Sequence, residues 1–463
     1  MLPNELFLEI FKLLGVDDLY VAGLSSPHLT HIAHAVLSSF EQHKLSFWPY
    51  LTRKQPFQAL GEEAAKRLRY KLAFYASPHV APHVYCIHIS PLSDSTEDKR
   101  HIASASTNVD VLRDELFALL HRFPNLSRIW ASDITFTKVA IDNLRVRTGT
   151  RPIIENVSLF DCALSPDVVP HVLDRPLAIL DLHNRNKRDS ARWLAVIFPR
   201  TLGSISLLNV EDLPGPDSSP LPIFPVVKHI GLSMQFFHPL TAQHMSALRR
   251  MFPAVKDVII ERKFYDYDRP ATEYLAQALA VTTPVFPLLT EYRGPWEAFL
   301  LLKSGTALER LELTYDSCDP AALVLGLELI GAQFLLLTNI DLHLEPLTGA
   351  TLVRLMAYFP AAKHLELSLE WDNDLSLRPP SEKLKEYTIF LSALPVCLPQ
   401  TMEGLHISAK LAVGNALPEP TPSLDLHVMQ TALLLRCVNM QYIWIEGNFF
   451  ELGWNVNGEE TDD

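Results

Sequence analysis

The chain lacks any run of roughly eighteen apolar residues, so no segment of it reads as a membrane-spanning helix. Cysteine is scarce: Cys86, Cys162, Cys318, Cys397 and Cys437 are scattered, odd in number and form no C-x-x-C pair, which argues for reduced, mostly buried thiols. Basic residues are the minority, 40 Lys and Arg against 53 Asp and Glu, a net charge of −13. That balance opposes a nucleic-acid backbone, which needs a basic footprint, and tolerates basic protein partners. Glu5 and Glu9 stand where a secretory leader needs a basic flank and a clean apolar run, so a cytoplasmic or nuclear protein is expected, with no membrane partner. The sequence also has no G-x-x-x-x-G-K-S/T, no G-x-G-x-x-G after a strand, no G-x-S-x-G and no H-E-x-x-H. No pair of acidic residues sits in a context that would separate their pKa values for acid–base work, and no enzyme activity or cofactor is expected.

What is present begins at the N-terminus. Pro3 suits a first helical turn, and Leu2, Leu6, Ile10, Leu13 and Leu14 then fall on one helical stripe that Gly15 ends. Asp17 is placed to cap a second short helix. Ser26-Pro27 reads as the N-cap and first position of a third, in which Leu29, Ile32, Ala33, Val36 and Leu37 recur at helical spacing. Three helices this short cannot cover all their apolar faces with one another. Phe7, Phe11 and the Leu2/Leu6 face must be met by the rest of the chain or by a partner.

The order Leu2-Pro3-Asn4-Glu5-Leu6, Ile10-Phe11, Asp18-Leu19, Leu24-Ser25-Ser26 and Leu29-Thr30-His31-Ile32-Ala33 is more specific than a helical stripe and resembles the F-box. This resemblance implies docking onto the adaptor of a ubiquitin ligase and, through it, a cullin scaffold, with Leu2, Pro3, Leu6, Ile10, Leu14, Leu19 and Leu24 as contact residues. One departure is visible: where the family often carries a Trp in the third helix, this chain reads Pro27-His28-Leu29. The other reading of the segment is a helical cap on a larger domain.

Beyond about residue 80 the chain repeats itself loosely. Phe123-Pro124-Asn125-Leu126, Phe224-Pro225-Val226-Val227, Phe252-Pro253-Ala254-Val255 and Phe359-Pro360-Ala361-Ala362 each lead into a short segment of alternating apolar residues. Looser copies centre on Val157, Leu180, Ile205, Leu311, Ile340, Leu405 and Ile443. Successive anchors fall roughly 22–30 residues apart, stretching to about 40 near both ends, which is room for one strand, one helix and two turns. The pattern resembles an irregular leucine-rich repeat, implying an α/β solenoid, a ribonuclease-inhibitor-like horseshoe. The expected division is 1–45 as an F-box-like module, 46–80 as a helical connector and 81–463 as the repeat domain. A doubly wound α/β sheet shares the strand–helix alternation but gives no reason for a recurring Phe-Pro break.

His79, His83, Cys86 and His88 are the one cluster with metal-ligand residue types; without a second pair at a zinc-finger spacing, solvated or hydrogen-bonded side chains are expected and no metal. His28, His31 and His34 read as an exposed helix face. Tyr265-Asp266-Tyr267-Asp268 and Asp372-Asn373-Asp374 lack the rest of a calcium loop.

In a strand, alternate residues point to opposite faces, so the anchors predict which side chains leave the core. They are Arg128, Trp130, Asp181, His183, Arg310, Glu312, Asp341, His343, His364, Glu366, Tyr442 and Trp444. Trp130 and Trp444 are of the type enriched in interface hot spots, unless a one-residue register shift puts them inside. Glu312, Asp316, Asp341, Glu366, Glu370 and Glu446 stand against Arg310, which points to a basic protein segment as the ligand. The substrate-binding candidates are Trp130, Asp181, His183, Glu312, Asp341, Glu366 and Trp444. Together the two resemblances imply a substrate receptor of a cullin-type ubiquitin ligase; the alternative is a non-catalytic repeat scaffold with a degenerate F-box.

Overall fold

The structure is a computed structural model. It describes residues 10–11, 32, 44–47, 62–78, 80–89, 106–145, 154–168, 177–183, 190–197, 199–208, 222–233, 242–261, 283–302, 307–331, 334–370, 380–410, 426–447 and 450–455. The chain is α/β, and its described residues fall into two compact units that divide between Val226 and Val227. This division lies inside the 81–463 range expected as one repeat domain.

In the first unit, β1 (Lys44–Phe47), β2 (Cys86–Ile89), β3 (Arg128–Ser132), β5 (Asn156–Phe160), β7 (Ile179–His183) and β8 (Ser204–Leu208) lie side by side in chain order, all parallel. Two short strands, β4 (Thr135–Phe136) and β6 (Ala163–Leu164), pair separately. Before them, Asp133 and Asp161 take left-handed backbone at φ 52° and 51°, a conformation that Asp tolerates better than most residues. Helices α1 (Glu62–Tyr75), α2 (Ser106–Ala118), α3 (Lys138–Arg145) and α4 (Ser190–Val196) lie among its described residues. Strand β1 spans the expected boundary at residue 45, and α1 lies in the expected helical connector.

The second unit continues the same logic with β9 (His229–Ser233), β10 (Asp257–Glu261), β11 (Glu291–Gly294), β12 (Arg310–Cys318), β13 (Asn339–Leu344), β14 (His364–Glu370), β15 (Gly404–Lys410) and β16 (Tyr442–Gly447), again parallel and in chain order. The last strand, β17 (Phe450–Asn455), turns back antiparallel along β16. Helices α5 (Ala242–Met251), α6 (Trp296–Leu302), α7 (Pro320–Ile330), α8 (Gly349–Met356), α9 (Pro380–Cys397) and α10 (Leu426–Arg436) connect these strands. Among the described residues, neither unit shows the reversal of strand order that marks a doubly wound sheet.

Local chemistry explains the helix ends. Asp319 caps α7 by accepting a 2.8 Å hydrogen bond from the Ala321 N–H, Pro320 fills the first turn, and Gly331 ends the helix at φ 63°. Thr348 caps α8 through the Thr351 N–H.

A buried Phe precedes six of the strands. Phe123, Phe224, Phe252, Phe334 and Phe359 are buried, as is Phe286, and the rings of Phe299, Phe334 and Phe359 follow one another at 5.4 and 5.8 Å. Two exposed turn residues and a buried aliphatic residue come next, then the strand. At each such turn one carbonyl accepts two N–H groups from the next repeat. In the first unit the carbonyls of Tyr85, Ser127, Glu155 and Ala178 do this; in the second, those of Lys228, Lys256, Thr290, Glu309, Thr338, Lys363 and Glu403. Hydroxyls of Ser127, Thr290 and Thr338 add bonds to the same carbonyls, joining residues 42, 34 and 29 apart. The chain between two rungs varies in length while the rung itself does not.

The core lies beneath these strands, where Leu342, Leu367, Leu405 and Ile407 are fully covered. Removing a buried side chain from a central strand costs the transfer free energy plus the cavity it leaves. Leu367→Ala is therefore expected to destabilise the second unit by about 3 kcal/mol. A drop in the urea midpoint at unchanged slope checks this.

Candidate functional site

The strands bury every second side chain and turn the others to the opposite face, and each substrate-binding candidate stands on that second face. In the first unit, one rung reads His88, Trp130, Ser158, Asp181 and Ser206 across five strands, and the next reads Ser132, Phe160, His183 and Leu208. The Trp130 ring meets His88 edge-on at 3.7 Å and Phe160 at 4.8 Å, and Phe160 stacks on His183 at 4.2 Å. Ser158 donates a 2.8 Å hydrogen bond to Asp181. Trp130, Asp181 and His183 are thus engaged with their neighbours in a half-buried aromatic row. Phe160 and His88 belong to this row and were not among the sequence candidates. Phe160 was within reach, since it continues the alternation of Val157-Ser158-Leu159.

In the second unit the corresponding rung reads Arg293, Glu312, Asp341, Glu366, His406 and Trp444. Glu312 is nearly covered, and a buried carboxylate is tolerable only when paired. Arg293 Nε lies 2.8 Å from it and Arg310 Nη2 3.6 Å. His406 stands between Glu366 at 3.2 Å and Glu446 at 3.8 Å. His343 meets Glu370 at 3.3 Å. At the turn end of the face, Glu403 takes Lys363 at 2.8 Å and His364 at 3.9 Å.

Asp341 differs. It is half-buried, its register neighbours on both sides are carboxylates, and it makes no hydrogen bond or ion pair among the described residues. Burial, then Glu366 and Glu312, push its pKa up from 3.8 to about 6 against the pull of Arg310 and Arg293. A carboxyl raised on folding favours the protonated form, so its ionisation weakens the fold as pH rises from about 4 through about 6.

Two rings border the rung. The Tyr442 ring covers Gly404, where a Cβ would collide with it, and stacks with His364 at 6.2 Å. The Trp444 indole lies across Gly453 of β17 in the same way. Trp444 is therefore a half-exposed ring held against the sheet.

The sequence reading overlooked Arg293, and with it the strand β11. Glu291-Tyr292-Arg293-Gly294 offers one large apolar residue to alternate, but Phe286-Pro287-Leu288-Leu289 directly before it repeats the turn signal. With Arg293 included, the face is less one-sidedly acidic than expected. Asp316 lies in β12, but its side chain is outside the described residues.

Of the adaptor-binding candidates, Ile10 is described: it is helical and exposed beside a buried Phe11, and Ile32 is buried too. Leu2, Pro3, Leu6, Leu14, Leu19 and Leu24 lie outside the described residues, as do His79, the His83 side chain, and the loops at 265–268 and 372–374. Cys86 and His88 share the face opposite Ile87 and Ile89, and among the described residues no three His, Cys, Asp or Glu side chains converge as metal ligands. Cys162 is buried and its thiol is pushed up to about 12, mainly by burial, and Cys318 is raised in the same way. Such thiols are protonated and unreactive. Among the described residues no helix is long and apolar enough to cross a membrane. Compared with known proteins, the chain matches no family model and no curated protein.

Asp341→Asn removes the ionisation cost while keeping the shape of the side chain. The variant is expected to be more stable at pH 7 by on the order of 1 kcal/mol, a value reduced for the solvent that reaches the group. The gain should shrink as pH falls through about 6 and vanish near pH 4, where both side chains are neutral. Paired urea titrations across that range check the sign.

Proposed function

We propose that the chain is the substrate receptor of a cullin-type ubiquitin ligase, acting in the cytoplasm or nucleus, with an F-box-like N-terminus for the adaptor and an irregular leucine-rich-repeat solenoid for a target protein. The observation that carries the reading is the pair of outward-facing rows, aromatic in one unit and charged in the other, set on parallel strands laid down in chain order. Such a surface suits an extended protein ligand. The F-box resemblance supplies the ligase part, and exposed Ile10 beside buried Phe11 suits a helix with one face inward and an apolar residue left for a partner.

Catalysis then belongs to other subunits. This chain contributes geometry by holding adaptor and target together, so that ubiquitin transfer occurs at high effective concentration.

Capture of purified adaptor by the full chain tests the proposal. Wild type is expected to retain the adaptor, and Leu6→Asp with Ile10→Asp to lower retention at least tenfold with the melting curve unchanged. If wild type retains no adaptor, the ligase reading falls and a bare interaction scaffold takes its place.

A further inference from the structure

Several carboxylates on the open face of the second unit have a basic side chain within ion-pair distance. Glu312 has Arg293 and Arg310, Glu366 and Glu446 share His406, Glu370 has His343, and Glu403 has Lys363 and His364. Asp341 sits in the middle of the row with no such partner among the described residues, and Glu312 and Glu366 flank it in register. Such an arrangement costs the fold stability, and a bound cation would offset that cost.

A cation is what completes it. The flanking carboxylates do not gather with Asp341 into a metal-ligand group, since no three such side chains among the described residues do so. A side-chain ammonium or guanidinium fits instead, because it reaches one carboxylate directly while its neighbours add attraction along the row.

The same rung ends at Trp444, three strands further on. At about 4.8 Å per strand, Asp341 and Trp444 lie about 14 Å apart, which an extended peptide at about 3.3 Å per residue covers in four or five residues. The ring, half-exposed and fixed over Gly453, offers a flat apolar surface to the second contact.

We infer that the open face from β12 to β16 is a docking site for an extended target segment that places a Lys or Arg on Asp341 and, four or five residues away, an apolar or aromatic side chain on Trp444. The inference rests on the receptor reading for its biological meaning, but not for its chemistry. Arg293 and His406 already engage Glu312 and Glu366, and Asp341, set between them, is the carboxylate of that rung with no basic partner among the described residues.

A library of random twelve-residue peptides, panned against the purified full chain, tests this directly. Wild type is expected to enrich peptides with Lys or Arg four or five residues from an aromatic or large aliphatic residue at least fivefold, with the enrichment falling at high salt. Asp341→Asn should abolish the cation preference although the variant folds at least as stably. Trp444→Ala should abolish the spaced apolar preference. Glu328→Gln, on α7 and paired with Arg354 at 2.6 Å, should change neither. No cationic enrichment by wild type, or enrichment unchanged by Asp341→Asn, overturns the site. Adaptor capture is scored separately, so a chain that selects such peptides but captures no adaptor sinks the ligase reading alone, and the reverse result sinks the site alone.

Discussion

Besides the ladder between neighbouring strands, one backbone carbonyl accepts two N–H groups at the mouth of the next strand at four turns in the first unit and seven in the second. Because the bond is made by main chain, it holds whatever side chains surround it, and it fixes register at the first residue of those strands. Everything on the open face inherits that register. Arg293, Glu312, Asp341, Glu366, His406 and Trp444 come from six strands and share one line because seven consecutive turns in their unit obey the same rule. A one-residue slip in any strand would exchange its core and solvent faces, so burial of Leu342, Leu367 and Ile407 holds Asp341, Glu366 and His406 outside.

The turn explains what could be read from sequence. An aromatic residue that closes the helical layer, two turn residues and an aliphatic residue under the strand form a local signal, and four clear Phe-Pro copies were enough to place the flanking strands and their alternation. β11 escaped because its strand is short and half of its core contribution is Gly294, whose φ of 153° and contact with Ile260 leave no room for a side chain. The small β4–β6 pair escaped because it depends on left-handed Asp133 and Asp161, which nothing in a hydrophobic pattern announces. Periodicity likewise reports which face a residue takes, but not which charge it meets there. The pairing of Glu312 with Arg293 and the isolation of Asp341 emerge only from register across strands distant in sequence.

The two rows illustrate different uses of the same scaffold. In the first unit, rings fill the open face against one another, so Trp130 is already half-covered by His88 and Phe160. In the second unit, several carboxylates meet a basic side chain in place, while Asp341, between Glu312 and Glu366, meets none among the described residues. In the proposed docking site, that position rather than overall acidity would set the choice of ligand.

The account depends on Asp341 standing unanswered between two like charges. Carboxyl-carbon NMR of the full chain, followed through pH, measures this most directly: the account predicts a midpoint near 6 for Asp341 that falls when Glu366 is changed to Gln. A midpoint in the ordinary aspartate range, indifferent to Glu366, would contradict it.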